Sequence, residues 1–164
     1  MSLWPRRVRI RRLLAEDAAL WRDLRLEALA KHPEAYGSTH DDWAGRPLSD
    51  FADRLEQACI LGAYKSETLV GCMALDSARG RGEITGVFVR QDLRRRGVAR
   101  ALLKAQKRQA QQRGVSQLYL TVAETNRPAL RFYERAGFRR IEEPSRALAR
   151  DGHLLDLITM TMEL

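Results

Sequence analysis

The sequence predicts an α/β domain of the α+β kind, a mixed and mostly antiparallel central sheet of about seven strands flanked by about four helices. Three observations predict it. Apolar, β-tolerant runs at 60–64 and 68–75, and again on either side of Asp151-Gly152, are separated by short polar turns and read as antiparallel hairpins. The run 83–89 behaves differently, because it enters a basic glycine-bearing turn, then a helix, then a further apolar run at 118–122. A right-handed crossover of that kind makes the two strands parallel neighbours. Finally, 164 residues suffice to bury one core without staples, so residues 1–164 read as a single domain.

The elements follow in order. Residues 7–11, Arg-Val-Arg-Ile-Arg, alternate polar and apolar, as a half-buried strand does with its arginines facing water. Residues 17–31 place Leu20, Trp21, Leu24, Ala28 and Leu29 on one side of a helix, with Asp17 as its N-cap and His32-Pro33 as its stop. Residues 34–46 are polar and turn-rich and read as a surface connection. A second helix over 49–58 turns Phe51 and Leu55 inward, with Ser49 as cap. After the hairpin at 60–75 comes a loop over 77–82 and the strand 83–89, whose internal Gly86 marks a bulge or a close backbone approach. The next helix runs to about residue 113, where Gly114 suits the C′ position. Asn126 is placed to cap the last helix, which ends before Gly137-Phe138.

The turn at 90–97 is the centre of this chain. The first turn of a helix carries unsatisfied N–H groups and the positive end of the helix dipole, so an anion seated there is bound by geometry as well as charge. Gly97 lets a ligand approach the backbone. Arg94-Arg95-Arg96-Gly97-Val98-Ala99 resembles the Gln/Arg-x-x-Gly-x-Gly/Ala signature of the GNAT N-acetyltransferase superfamily. Downstream, the block from Asn126 through Ala129, Phe132 and Tyr133 to Gly137-Phe138 is similar to that family's Asn-x-x-Ala-x-x-Phe-Tyr-x-x-x-Gly-Phe element.

The resemblance implies an enzyme that takes acetyl-coenzyme A as cosubstrate, without a metal, and transfers its acetyl group directly to a primary amine in a ternary complex. It implies two central parallel strands splayed around the cofactor. The backbone amides of Arg95, Arg96, Gly97, Val98, Ala99 and Arg100 would hold the pyrophosphate, with Arg94 adding charge. A main-chain N–H within Val87, Phe88 and Val89 would bond the thioester carbonyl, and Asn126 the pantetheine arm. Tyr133 would protonate the departing thiolate, and Glu83 would take the amine's proton, with Asp76, Glu124 and Asp156 as rivals. Tyr36, Glu83 and His153 are the substrate-side candidates. His40 and Trp43 share the connection with Tyr36, where packing is the competing role. A non-catalytic acyl-coenzyme A sensor of the same fold is the alternative function.

Composition bounds the partners. No apolar run approaches the roughly 20 residues of a membrane span, and the first residues lack a secretory core, so the chain reads as cytoplasmic. Cys59 and Cys72 are far apart in apolar surroundings and read as buried small hydrophobes. The net charge of +8 invites nucleic acid, yet much of the excess (Arg94, Arg95, Arg96, Arg100, Lys104, Lys107, Arg108) sits where a polyanionic cofactor would account for it. No aromatic residues interleave with these arginines as a stacking platform requires. The expected partner is an amine-bearing acceptor, small molecule or protein; a homodimer is left open.

Overall fold

The computed structural model describes residues 8–32, 40–94, 96–141, 145–148 and 154–164. Tyr36, Arg95, His153 and the Asp151-Gly152 turn lie outside them. In chain order the elements are β1 (Arg9–Arg12), α1 (Ala18–Lys31), α2 (His40–Ala44), α3 (Leu48–Gln57), β2 (Cys59–Lys65), β3 (Thr68–Ala78), β4 (Arg81–Val89), α4 (Val98–Gln112), β5 (Gln117–Ala123), α5 (Arg127–Arg135), β6 (Arg139–Arg140), β7 (Ser145–Leu148) and β8 (Leu154–Glu163). Among the described residues this gives eight strands and five α-helices, the two-residue β6 and the short α2 being additions to the expected set.

One mixed sheet runs β1-β2-β3-β4-β5-β8-β6, with β7 also paired to β8. Every pairing is antiparallel except β4 with β5, the parallel pair that the crossover through α4 predicts. Two apolar clusters lie on opposite faces of the sheet. Leu102, Leu103 and Ala110 of α4 and Leu130 and Tyr133 of α5 pack with Met73, Leu75, Ile84, Leu118 and Leu120. Trp21, Leu24, Ala28 and Leu29 of α1, Trp43 of α2 and Phe51 and Leu55 of α3 pack with Ile60, Cys72, Ala74 and Phe88. Both cysteines are buried and free, as their surroundings predict.

Several expectations are corrected. Leu20 is 47% exposed and leaves the apolar side of α1 to Trp21, Leu24, Ala28 and Leu29. Asp17 stands at the helix start without capping it, since its carboxylate accepts two bonds from Arg11, at 2.8 and 2.9 Å, and one from the Leu14 N–H at 2.8 Å. Arg11 is therefore a pairing residue, also stacked over Tyr64 at 4.6 Å, rather than part of a solvated arginine face. Ser49 lies inside α3, which begins after Pro47. The stretch read as a connection contains α2, whose Trp43 is held edge-on to Trp21 and against Phe51 with centroids 6.2 and 5.0 Å apart. The loop expected over 77–82 is a tight turn: Arg79 and Gly80 adopt φ of +53° and +77°, and the strands pair up to Ala78 and Arg81.

Candidate active site

The site is built where β4 departs from regular pairing on both of its edges. On the β3 side, Cys72 faces Phe88 but Ala74 faces Thr85, so Gly86 and Val87 together oppose Met73. This is the bulge that Gly86 announces, and its φ of +56° explains the glycine. On the β5 side, parallel pairing runs from Arg81 with Gln117 to Glu83 with Tyr119 and goes no further, although β4 continues to Val89 and β5 to Ala123. The two strands thus diverge beyond Glu83, opening a gap in the middle of the sheet. Val87, Phe88 and Val89 lie along this diverging stretch; Phe88 and Val89 are buried on opposite faces and Val87 packs partly against the α4–α5 core.

A 3-10 turn at Gln91–Leu93 follows, anchored by buried Leu93 and by a bond from the Arg90 N–H to the Val70 carbonyl at 2.9 Å. Arg94 does not project freely. Its Nε donates to the Val89 carbonyl at 3.0 Å, and its Nη2 stands 2.7 Å from Nε2 of His32. Arg94 therefore ties the turn to the end of β4 and to the end of α1. Gly97 then takes φ of +81°, with nothing within 4 Å of the place where a β-carbon would stand. The first helical bond of α4 runs from the Ala101 N–H to the Gly97 carbonyl at 3.0 Å, so the preceding amides of Val98, Ala99 and Arg100 have no partner within the helix. No acidic residue stands in that first turn. Open backbone, free amides and the exposed guanidinium groups of Arg96 and Arg100 fit a pyrophosphate.

Asn126 caps α5 as expected, its Oδ1 accepting from the Ala129 N–H at 3.3 Å. Tyr133 is only 6% exposed, flanked by the rings of Phe132 and Phe138 at 5.0 and 5.6 Å. Burial raises its phenol above the ordinary tyrosine range, so it stays protonated under all ordinary conditions.

The carboxylates separate clearly. Glu83, half-buried at the fork where β4 leaves β5, accepts from the Tyr119 hydroxyl at 3.3 Å. Asp76, its cross-strand neighbour, is gripped by both nitrogens of Arg54 at 2.7 and 2.8 Å and accepts from the Thr85 hydroxyl at 3.2 Å. The Arg54 bonds hold it below the usual carboxylate range, which makes it a poor base. Glu124 is exposed beyond the end of β5 and lines a concavity of about 270 Å³ with Arg127, Leu130, Arg131 and Arg140. Asp156 sits on β8 opposite Arg146 of β7. Trp43 is packing, and His40, 3.6 Å from the Asp41 carboxylate, is on the same short helix.

Sequence reasoning missed the groups that brace this geometry. Gln106 is fully buried on α4, with its Nε2 donating to the Cys59 carbonyl at 3.0 Å and the Met73 carbonyl at 2.8 Å. Its place four residues from both Leu102 and Ala110 was the available signal. The pairs Arg54–Asp76 and Arg90–Glu27, the latter at 3.0 Å, join residues far apart in the chain and left no local trace.

A profile of the acetyltransferase (GNAT) family matches residues 18–138. The chain is 32% identical over 135 residues to a mycothiol acetyltransferase of Clavibacter sepedonicus, covering 82% of this chain and 44% of that protein. Across five such relatives it spans between 36% and 48% of their length. Among solved structures, a GNAT-family acetyltransferase from Streptococcus pneumoniae superposes with a TM-score of 0.83 at 19% identity, over 96% of this chain and all of that one. The PaiA N-acetyltransferase of Thermoplasma acidophilum, determined with coenzyme A, superposes with a TM-score of 0.77 at 17% identity, over 96% and 99%.

Proposed function

The chain belongs to the GNAT acetyltransferase family, and on that premise we propose that it moves an acetyl group from acetyl-coenzyme A to a primary amine by direct transfer in a ternary complex. The observation that carries the reading is the bulged β4 leaving β5 after Glu83, next to the open glycine at the start of α4. The gap between the strands accommodates the pantetheine arm, with Asn126 at its side. The amides at the head of α4 and the charges of Arg96 and Arg100 hold the pyrophosphate; Arg94 shapes the turn from beneath. Arg95 belongs to the same turn by sequence.

The chemistry follows from what amines and thioesters need. An alkyl amine with a pKa of about 10 arrives as ammonium and must lose a proton before it can attack. Glu83, at the fork and not neutralised by a bidentate arginine as Asp76 is, accepts that proton directly or through one water. The amine nitrogen then forms its bond to the acetyl carbon while the carbon–sulfur bond breaks. A main-chain N–H of the diverging β4 stretch at Val87, Phe88 or Val89 stabilises the carbonyl oxygen as charge develops on it. The protonated Tyr133 supplies the proton that the sulfur acquires; the nitrogen's second proton passes to solvent, from which Tyr133 is reprotonated, so that the step balances. Tyr36 and His153 complete the acceptor side of this reading.

The test has two parts. A panel of primary amines should release free thiol from acetyl-coenzyme A in the presence of the protein. Calorimetric titration should show that Gly97→Trp, with its side chain in the space now open beside the backbone, weakens acetyl-coenzyme A binding at least about tenfold. A folded Gly97→Trp variant with parental affinity would remove the pyrophosphate assignment.

A further inference from the structure

The transfer chemistry gives Glu83 a proton to accept and gives its hydrogen-bond partner, Tyr119, nothing to do. Glu83 and Tyr119 are the last pair of the β4–β5 register, so they stand at the apex of the fork. Ile84 on β4 and Leu118 and Leu120 on β5 are buried in the α4–α5 core, so Arg81, Glu83, Gln117 and Tyr119 share the opposite face of the sheet. On that face the side chains link three strands. Gln117 Nε2 donates to Glu163 Oε1 of β8 at 2.8 Å, and Arg81 Nε donates to Gln117 Oε1 at 2.9 Å. The Arg81 guanidinium carbon lies 4.6 Å from the centre of the Tyr119 ring, and the Tyr119 hydroxyl donates to Glu83 Oε2 at 3.3 Å.

Each link limits the next. A half-buried glutamate side chain with three rotatable bonds samples several positions unless something bonds it. The Tyr119 ring lies under a guanidinium that is itself bonded to Gln117, so the hydroxyl reaches Glu83 from a fixed direction. Burial, followed by the charge of Glu83, raises the Tyr119 phenol above the ordinary tyrosine range, and the hydroxyl keeps its proton and serves as donor. On the other side, Asp76 across the β3–β4 pair is neutralised by Arg54, whose charge also reaches Glu83. Oε2 of Glu83 is thus engaged from β5, and no described residue bonds Oε1.

We propose that Tyr119 is a positioning residue for acetyl transfer, its hydroxyl holding Oε2 of Glu83 at the fork so that Oε1 is presented to the amine's proton. The assignment rests on the acetyl-transfer reading with Glu83 as base and adds a second residue to it. Tyr119 gives up no proton; the one leaving the amine goes to Oε1, directly or through one water, and Oε2 keeps its bond. A general base works only within hydrogen-bond reach of the proton it takes, and a small misplacement is costly. Losing the hydroxyl therefore lowers the rate constant and spares binding.

The experiment is a double-mutant cycle on thiol release, run with the amine of highest kcat/KM in the primary-amine panel. Tyr119→Phe keeps the ring beneath Arg81 and removes only the oxygen. In the parent background it should lower kcat by about ten- to a hundredfold, with KM and acetyl-coenzyme A affinity unchanged within about threefold. In Glu83→Gln, where no base remains to be positioned, the same substitution should change kcat by less than about twofold. A purely structural role would lower both backgrounds alike. A second arm, independent of activity, follows the NMR signals of ring-labelled tyrosine as pH rises. Tyr119, identified by its absence from Tyr119→Phe, should ionise at lower pH in Glu83→Gln than in the parent, because the charge that favours its protonated form is gone. Parental kcat in Tyr119→Phe, an equal loss in both backgrounds, or a Tyr119 titration untouched by Glu83→Gln overturns the assignment and leaves acetyl transfer intact. A Glu83→Gln variant as active as the parent overturns Glu83 as base, and an absence of thiol release with every amine overturns the transfer reading; either takes this assignment with it.

Discussion

At Gly97 a β-carbon would meet no other atom within 4 Å, so the residue answers to its φ of +81° and to whatever occupies the open side, not to crowding inside the protein. Tyr133 is the reverse case, a residue pressed between Phe132 and Phe138 whose ring is needed for packing whatever its hydroxyl does. Tyr133→Phe separates the two roles, because it removes one oxygen and keeps the ring. The expected result is a kcat lowered by roughly 10²–10⁴ with cofactor affinity unchanged and stability within about 1 kcal/mol of the parent. Steady-state kinetics beside urea unfolding measures it; an active phenylalanine variant would reduce Tyr133 to packing. For Glu83 the readout is the pH–rate profile. Glu83→Gln should slow transfer near neutrality and regain part of the rate as rising pH supplies neutral amine, so the parent and variant curves should converge on the alkaline side. Parallel curves would transfer the base to another group. The two site motifs, Gly97 and Asn126 included, were legible because main-chain needs, a positive φ and a cap, select residue types locally. The partners of Asp76 and Glu83 were not, since Arg54 and Tyr119 reach them only through the fold.

Among elements, α4 does two jobs with its two faces. Its N-terminal end offers amides to an anion, and its inner face carries Gln106, which bonds the carbonyls of Cys59 on β2 and of Met73, the residue opposite the bulge. The helix that binds is thereby tied to the strand whose distortion opens the site. Gln106→Leu keeps the volume and the helix but removes the donor, leaving two buried carbonyls with one bond fewer. The expected cost is about 1–3 kcal/mol in urea unfolding, accompanied by weaker acetyl-coenzyme A binding because the bulge loses its brace. Stability lost without any change in binding would confine Gln106 to the core. At this scale the hairpins, the crossover and the ends of α4 were readable from periodicity, turn residues and Gly114, whose φ of +74° closes the helix with bonds from Gly114 N–H to the Gln111 carbonyl and from Val115 N–H to the Ala110 carbonyl. The short α2 was not readable, because five residues carry too little period to reveal a helix held by one buried tryptophan. Asp17 looked like a cap, and tertiary pairing with Arg11 took its carboxylate instead.

Over the whole chain, charge is distributed unevenly. Residues 93–123 contain no Asp or Glu and eight basic residues, namely Arg94, Arg95, Arg96, Arg100, Lys104, Lys107, Arg108 and Arg113, a number equal to the net charge of +8. The rest of the protein is balanced, and two of its carboxyls are held by arginine: hydrogen bonds from Arg11 to Asp17 and from Arg54 to Asp76 keep both below their ordinary value of 3.8. Their stabilisation is complete above that value and is lost as pH falls through the native ones. At the alkaline end Cys72 and Tyr133 are among the groups whose burial opposes ionisation. Burial pushes the Cys72 thiol from 9.0 up to about 11, and burial raises the Tyr133 phenol above its ordinary value of 10.0. Above pH 9 the unfolded chain releases the Cys72 proton while the folded chain retains it, so stability declines by about 1.4 kcal/mol per pH unit until the native thiol ionises near 11. From about pH 10 Tyr133 contributes in the same direction. Urea unfolding from pH 8 to 11 should therefore show a parent slope that Cys72→Ala makes shallower from about 9 to 11, and that Tyr133→Phe makes shallower only above 10. A difference in absolute stability between the variants leaves these slopes unaffected. A Cys72→Ala profile parallel to the parent throughout would mean that the thiol at the Gly86 bulge is reached by water, and that this part of the sheet opens before the protein unfolds.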